Sequence, residues 1–184
     1  MLVVLNGTSS SGKTSIARAF QEIAPRLFLN FSIDSILYTL PPSVVARLER
    51  GEPAPEIAFL ELVRGFYACI RELASLGHDL VIDHAVMTRA EAELFVAAVD
   101  RYEVLMVGIE CPVEVLAERE RLRADRRPGL AVMQCERVHR WFAYDLVVDS
   151  SRVTSEDAAR QIVAALDAGG WDGLARTRVR IGSM

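Results

Sequence analysis

Short apolar runs alternate along this chain with stretches whose apolar residues recur at helical spacing. Residues 2–5 are uniformly apolar, and Ile16, Ala17, Phe20 and Ile23 then mark one face of a helix over 14–23. A second strand, aromatic and β-branched, is predicted over 27–33 and ends at Asp34. Residues 35–76 interrupt the alternation: Pro41, Pro42 and the Gly/Pro-rich residues 51–55 punctuate two helical stretches, the second over 56–76 with Gly77 as its stop. Strands at 80–83, 104–109 and 146–149 follow, separated by helices over 90–99 and from 113 to about 123. Thr154 to Asp157 has capping-box spacing before a last helix to about 167. Five short apolar strands separated by helices predict an α/β protein with a parallel sheet covered on both faces.

The turn between the first strand and its helix carries the most specific chemistry. Gly7-Thr8-Ser9-Ser10-Ser11-Gly12-Lys13-Thr14 fits the phosphate-binding pattern G-x-x-x-x-G-K-[ST] without a mismatch. Of the 21 basic side chains, Lys13 is the only lysine; every other one is arginine. A compact ammonium on a flexible stem can reach the β- and γ-phosphates inside a tight loop, where a broad guanidinium fork cannot. The strand, loop and helix context makes a bare helix cap the weaker reading. With this loop, the pattern predicts a three-layer P-loop NTPase fold, nucleoside-monophosphate-kinase-like, with a five-stranded parallel sheet.

Composition narrows the partners. The 184 residues are 51% hydrophobic and 25% charged, enough for one substantial core. One domain is expected over 1–168, with an acceptor-side helical insert at 35–76, an arginine-rich lid at about 119–140, and a peripheral tail over 169–184. A net charge of −4 argues against general affinity for nucleic acid or acidic membranes. Cys69, Cys111 and Cys135 form no C-x-x-C pair, which fits a reducing cytoplasm and suggests neither a disulfide framework nor a zinc site. The first strand starts at residue 2, so no secretory leader is expected. No apolar run approaches the roughly 18 residues of a membrane helix.

Ligands of such sheets collect at the carboxyl ends of the strands, which hold the loop, Asp34, Asp83, Cys111 and Asp149 to Ser151. Backbone N–H groups from Thr8 through Ser9, Ser10, Ser11, Gly12 and Lys13 to Thr14, with Gly7 and Ser15 at the margins, would cradle the phosphates of ATP. The Thr14 hydroxyl and the Asp83 carboxylate would hold Mg²⁺, Asp83 directly or through water. As an alternative, Asp83 caps the following turn. Asp34 suits a base that accepts the proton of an alcohol attacking the γ-phosphoryl group, or equally an N-cap for a helix starting at Ser35. Arg119, Arg123 and Arg126 share a helical face, flanked by Arg121 and Arg127. They fit either a cationic lid closing over ATP or a solvated face paired with Glu118, Glu120 and Asp125. His84 sits where it can touch a substrate; His78 belongs to a polar turn and His139 to the helix after the lid. The six aromatics Phe28, Phe31, Tyr38, Phe59, Phe66 and Tyr67 read mainly as core, with room for one or two to line an acceptor pocket.

Taken together, residues 4–13, 31–35, 107–111 and 119–126, extended by Gly129, Gln134, Val138-His139 and 144–149, resemble the chloramphenicol phosphotransferase family of small bacterial kinases. The resemblance spans most of 2–150. It implies ATP-dependent phosphorylation of a primary hydroxyl, with Asp34 matching the proposed base, Lys13 the loop lysine, and Arg123 and Arg126 the lid arginines. Two departures stand out: His84 occupies a position where the family commonly has a second acid, and residues 47–61 show no detailed match. Other acceptors, a sugar nucleotide as in zeta-toxin-like kinases or a small acid as in shikimate-type kinases, would need fixed cations. Arg47, Arg50, Arg64, Arg71 and Arg89 are the candidates in the acceptor region. A nucleotide-dependent switch without an acceptor would explain the loop but not Asp34 together with the arginines.

Overall fold

Every residue of β1 (Leu2–Gly7) is buried, as its uninterrupted apolar run requires of a strand covered on both faces. The computed structural model describes residues 1–122 and 129–183. After β1 come α1 (Lys13–Ile23), β2 (Phe28–Ser32), α2 (Ile33–Leu37), α3 (Pro42–Glu49), α4 (Phe59–Ser75), β3 (Asp79–His84), α5 (Arg89–Val99) and β4 (Val104–Glu110). The remaining elements are α6 (Val113–Arg121), α7 (Leu130–Cys135), β5 (Leu146–Asp149), α8 (Ser155–Ala168) and α9 (Gly173–Gly182). The five strands pair in parallel, as the sequence pattern predicts, and their order is β2-β3-β1-β4-β5.

Alternation along β1 divides the core. Leu2 and Val4 face a cluster built with Phe66 and Ile70 of α4, Phe95 and Val99 of α5, and Ile181 of α9. Val3 and Leu5 face Ile16 and Phe20 of α1 and Ala158 and Ile162 of α8. The helices on each face let the β1–α1 turn emerge at the centre of the sheet's carboxyl edge.

Several expected boundaries shift for local reasons. The second strand stops at Ser32, because the Ser32 hydroxyl caps α2 by accepting from the Asp34 N–H at 3.3 Å. The N-cap role considered for Asp34 therefore falls to Ser32. The insert holds three helices rather than two, α4 starting only at Phe59. Thr88 and Glu91 form a capping box on α5, and the Thr154 hydroxyl caps α8 as its spacing predicts. Residues 136–140, expected to be helical around His139, form a turn.

The tail is a correction. Instead of lying at the periphery, it forms α9, which buries Thr177 and Ile181 against α5 and β4. Three clamps hold it. The Ala143 N–H donates to the Thr177 hydroxyl at 2.9 Å, Asp145 accepts from the Gly173 N–H at 2.7 Å, and Arg176 donates to the Tyr144 carbonyl at 2.8 Å. Ile181→Ala is expected to lower unfolding stability by about 2 kcal/mol, near the low end for deleting a buried aliphatic side chain. Urea denaturation checks this; an unchanged midpoint would mean that α9 is not part of the core.

Candidate active site

The phosphate loop depends on two glycines. A Cβ on Gly7 would lie 2.5 Å from the Ile109 carbonyl oxygen, so only glycine lets β1 turn out beside β4. Gly12 has φ +89° and Ser10 φ +61°, left-handed residues of the kind that gather successive N–H groups into an anion-binding concavity. The hydroxyls of Ser9 and Ser10 are buried with no hydrogen-bond partner among the described residues. The Ser9 N–H donates to the Gln134 side-chain oxygen at 2.6 Å.

Lys13, Thr14 and Asp83 form one network. The Lys13 ammonium, 8% exposed, donates to the Thr8 carbonyl at 2.6 Å and lies 3.8 Å from the Asp83 carboxylate. The Thr14 hydroxyl donates to the other Asp83 oxygen at 2.7 Å. Asp83 reaches this position because β3 lies beside β1, with Asp83 paired to Leu5. A hydroxyl and a carboxylate meeting beside the loop fit a hard cation that takes its remaining ligands from phosphates and water. Among the described residues no group of three or more His, Cys, Asp or Glu side chains could hold a metal by itself.

Two of the cavities that meet the loop are lined by Gly12 and Ser15, one on each side of the start of α1. One, of about 360 Å³, lies towards the insert and is lined by Lys13, Thr14, Asp34, Asp83, His84 and Glu91, with Leu37, Val45, Leu48, Phe59 and Met87 as apolar walls. The other, of about 460 Å³, lies between the start of α1, Arg119 and residues 150–155. Arg119 donates to the Ser150 carbonyl at 2.7 Å and to its hydroxyl at 3.3 Å, anchoring the loop after β5. Arg123 and Arg126, expected on the same face of a lid, lie outside the described residues. Glu120 accepts from the N–H groups of Gly129 and Ala131, at 2.7 and 2.9 Å, and so joins α6 to α7.

None of the arginines considered for the acceptor region lines the apolar-walled cavity on the side of the insert. Arg47 pairs with Glu56, Arg50 with Glu52, Arg64 with Glu61 and Arg89 with Glu93, while Arg71 is exposed. Tyr38 and Phe59 line this cavity, whereas Phe28, Phe66 and Tyr67 are core.

Sequence reading did not assign Asn6, Gln134 or Tyr144 a function of its own. Asn6 donates to the Val138 carbonyl and the Tyr144 hydroxyl, both at 2.7 Å, and accepts from the Val86 N–H at 2.9 Å. A polar residue closing an otherwise apolar strand is the signal that could have found it. The Tyr144 hydroxyl also shares a hydrogen bond with His139 Nδ1 at 2.8 Å. Burial raises the Tyr144 pKa well above its usual range. The His84 ring packs 5.3 Å from Phe66 and 5.7 Å from Tyr67; burial, then the nearby Lys13 charge, pushes its pKa down to about 3.

A phosphate loop that opens onto a cavity on either side, with a carboxylate delivered from the adjacent strand, is the arrangement of a P-loop kinase, and this chain is a phosphotransferase of that class. It belongs to the chloramphenicol phosphotransferase-like protein family, whose model matches residues 1–167. A Mycobacterium tuberculosis (strain H37Rv) protein provisionally named an O-phosphotransferase is 30% identical over 185 residues, 88% of this chain and 80% of that protein. Among solved structures, an unliganded sugar kinase from Janibacter sp. HTCC2649 aligns with TM-score 0.69 and 21% identity, covering 90% of this chain and 94% of its own. The Mycobacterium tuberculosis APS kinase CysC, in complex with AMPPNP and APS, aligns with TM-score 0.62 and 17% identity over 90% and 96%. No helix among the described residues is long and apolar enough to cross a membrane.

The low pKa of His84 has a consequence for stability. Unfolded, the ring takes up a proton near pH 6.5; folded, it does so only near 3. Stability from this residue is therefore full above pH 6.5 and is lost as the pH falls towards 3. Burial lowers the His139 pKa as well, adding in the same direction. His84→Phe is expected to flatten part of the loss between pH 6.5 and 5, followed as urea midpoints at stepped pH; an unchanged slope would contradict a buried neutral imidazole.

Proposed function

We propose that the protein moves the γ-phosphoryl group of ATP to a hydroxyl of an uncharged small molecule, chloramphenicol or a similarly neutral alcohol, and so inactivates it as an antibiotic. The observation that carries this reading is the acceptor-side cavity: Asp34 and the phosphate loop open into it, its walls are largely apolar, and no described arginine lines it. Among the described residues, an anionic acceptor such as shikimate or a sugar nucleotide would meet Asp34, Glu49 and Glu91 there and no guanidinium group. A pure nucleotide switch would have no use for a second cavity next to Asp34. That the APS kinase was solved with an ATP analogue supports nucleotide as donor on this fold.

In this reading the loop N–H groups and Lys13 hold the β- and γ-phosphates, with the adenosine lying towards Arg119 and residues 150–155. Thr14 and Asp83 would hold Mg²⁺, which supplies charge neutralisation on the phosphates. The acceptor hydroxyl oxygen attacks the γ-phosphorus as the bond to the β-phosphate bridging oxygen breaks. ADP leaves, and the hydroxyl proton passes to the Asp34 carboxylate. Arg123 and Arg126 would stabilise the transferring group, an assignment resting on their sequence spacing and the family resemblance.

Asp34→Asn is expected to lower acceptor-stimulated turnover by about 10²-fold or more with ATP affinity unchanged. Lys13→Ala should abolish turnover, and Lys13→Arg should fail to restore it. ADP release with and without chloramphenicol, neutral alcohols and anionic acceptors measures all three. Wild-type turnover in Asp34→Asn would remove the base, and preference for an anionic acceptor would overturn the neutral-acceptor reading.

A further inference from the structure

His84 is 5% exposed, lines the acceptor-side cavity, and neither of its ring nitrogens has a hydrogen-bond partner among the described residues. Buried polar atoms are nearly always satisfied, so a ring left in this way at a cavity wall is a group awaiting a ligand. Phe66 and Tyr67 give the ring apolar contacts and fix its place. The β2–β3 register pairs Ser32 with Asp83, so Asp34 and His84 follow one another out of neighbouring strands into the same cavity. The cavity that holds the proposed base thus also holds a hydrogen-bonding group with no partner among the described residues.

We propose that His84 is a specificity-determining residue that hydrogen-bonds the acceptor within the cavity that also holds Asp34. This rests on the phosphotransfer reading above. A buried imidazole without a counter-ion is uncharged and offers one donor and one acceptor, which matches a hydroxyl or amide, themselves both donors and acceptors. A carboxylate or phosphate could use only the donor, and would face Asp34, Glu49 and Glu91 across the cavity. A structural alternative exists within the same cluster: the Tyr67 hydroxyl is also buried without a partner, so His84 and Tyr67 could satisfy one another through a shared water. Such a link would alter stability but would not distinguish one acceptor from another.

The test compares wild type, His84→Phe and His84→Asn with Mg·ATP and two acceptors, chloramphenicol and its analogue lacking the secondary hydroxyl. Wild type is expected to favour the diol by about tenfold or more in kcat/KM. His84→Phe should reduce that preference to less than about threefold, mainly through the acceptor KM, while His84→Asn keeps most of it. The KM for ATP and acceptor-free ATP hydrolysis should not move. An undiminished preference in His84→Phe, with only its melting temperature changed, overturns the proposal in favour of the structural link. Separately, imidazole ¹⁵N spectra of the wild type with Mg·AMPPNP are recorded as chloramphenicol is added: the His84 resonances should shift, and unmoved resonances overturn the proposal. If wild type binds nucleotide and phosphorylates neither acceptor, the neutral-alcohol reading fails; the His84 proposal then stands only if chloramphenicol still shifts the His84 resonances, and falls with that reading if it does not.

Discussion

The Lys13 ammonium has to be held in a nearly dry place, and much of the site follows from that requirement. A buried cation is tolerated only where fixed oxygens replace its water. Thr8 supplies a carbonyl from within the loop, and Asp83 supplies a carboxylate that also accepts from Thr14. Asp83 can do so only if β3 is the immediate neighbour of β1, which in turn requires the chain to cross the sheet through β2 and the helical insert before returning to its centre. On the other flank, the Ile109 carbonyl limits residue 7 to glycine. The strand order and the chemistry of the loop are one constraint seen at two scales.

The distribution of arginine follows a different logic. On the described surface of the insert and at the start of α5, Arg47, Arg50, Arg64 and Arg89 are occupied by nearby glutamates, whose exposed pairing contributes little to stability. Arg119 and Arg176 instead donate to backbone carbonyls, at Ser150 and Tyr144, and hold the loop after β5 and the last helix in place. Guanidinium groups here serve as multi-donor clamps for carbonyl oxygens that no regular secondary structure satisfies. Among the described residues, none of these guanidinium groups lines the cavity that holds Asp34.

Most of the sheet was legible because the information is local. Residues 2–5, 80–83 and 104–109 are apolar runs bounded by turn or polar residues, and the phosphate loop has a fixed spacing between its glycines and Lys13. The placement of Asp34 and Asp83 at strand ends follows from the same pattern. What was missed depends on partners far away in sequence. Thr177 and Ile181 look like part of an arginine-rich tail until Ala143 and the α5 side of the core are brought to them. Gln134 is an ordinary polar residue until Ser9 stands opposite it, 125 positions away. Asp34 shows the complementary difficulty: two local readings competed, and Ser32, two residues earlier, took the cap because its own extended backbone suits that position.

Gln134 also ties the acceptor side to the donor side. Its side-chain oxygen occupies the Ser9 N–H, and it lies on α7, whose first turn is held by Glu120 of α6. One N–H serves one strong acceptor, so a phosphate oxygen that bonds to Ser9 must displace Gln134. Gln134 and Leu130 line the acceptor-side cavity as well, which places both on the wall nearest to α7. The seating of α7, the phosphate loop and one wall of the cavity therefore share the Ser9–Gln134 hydrogen bond.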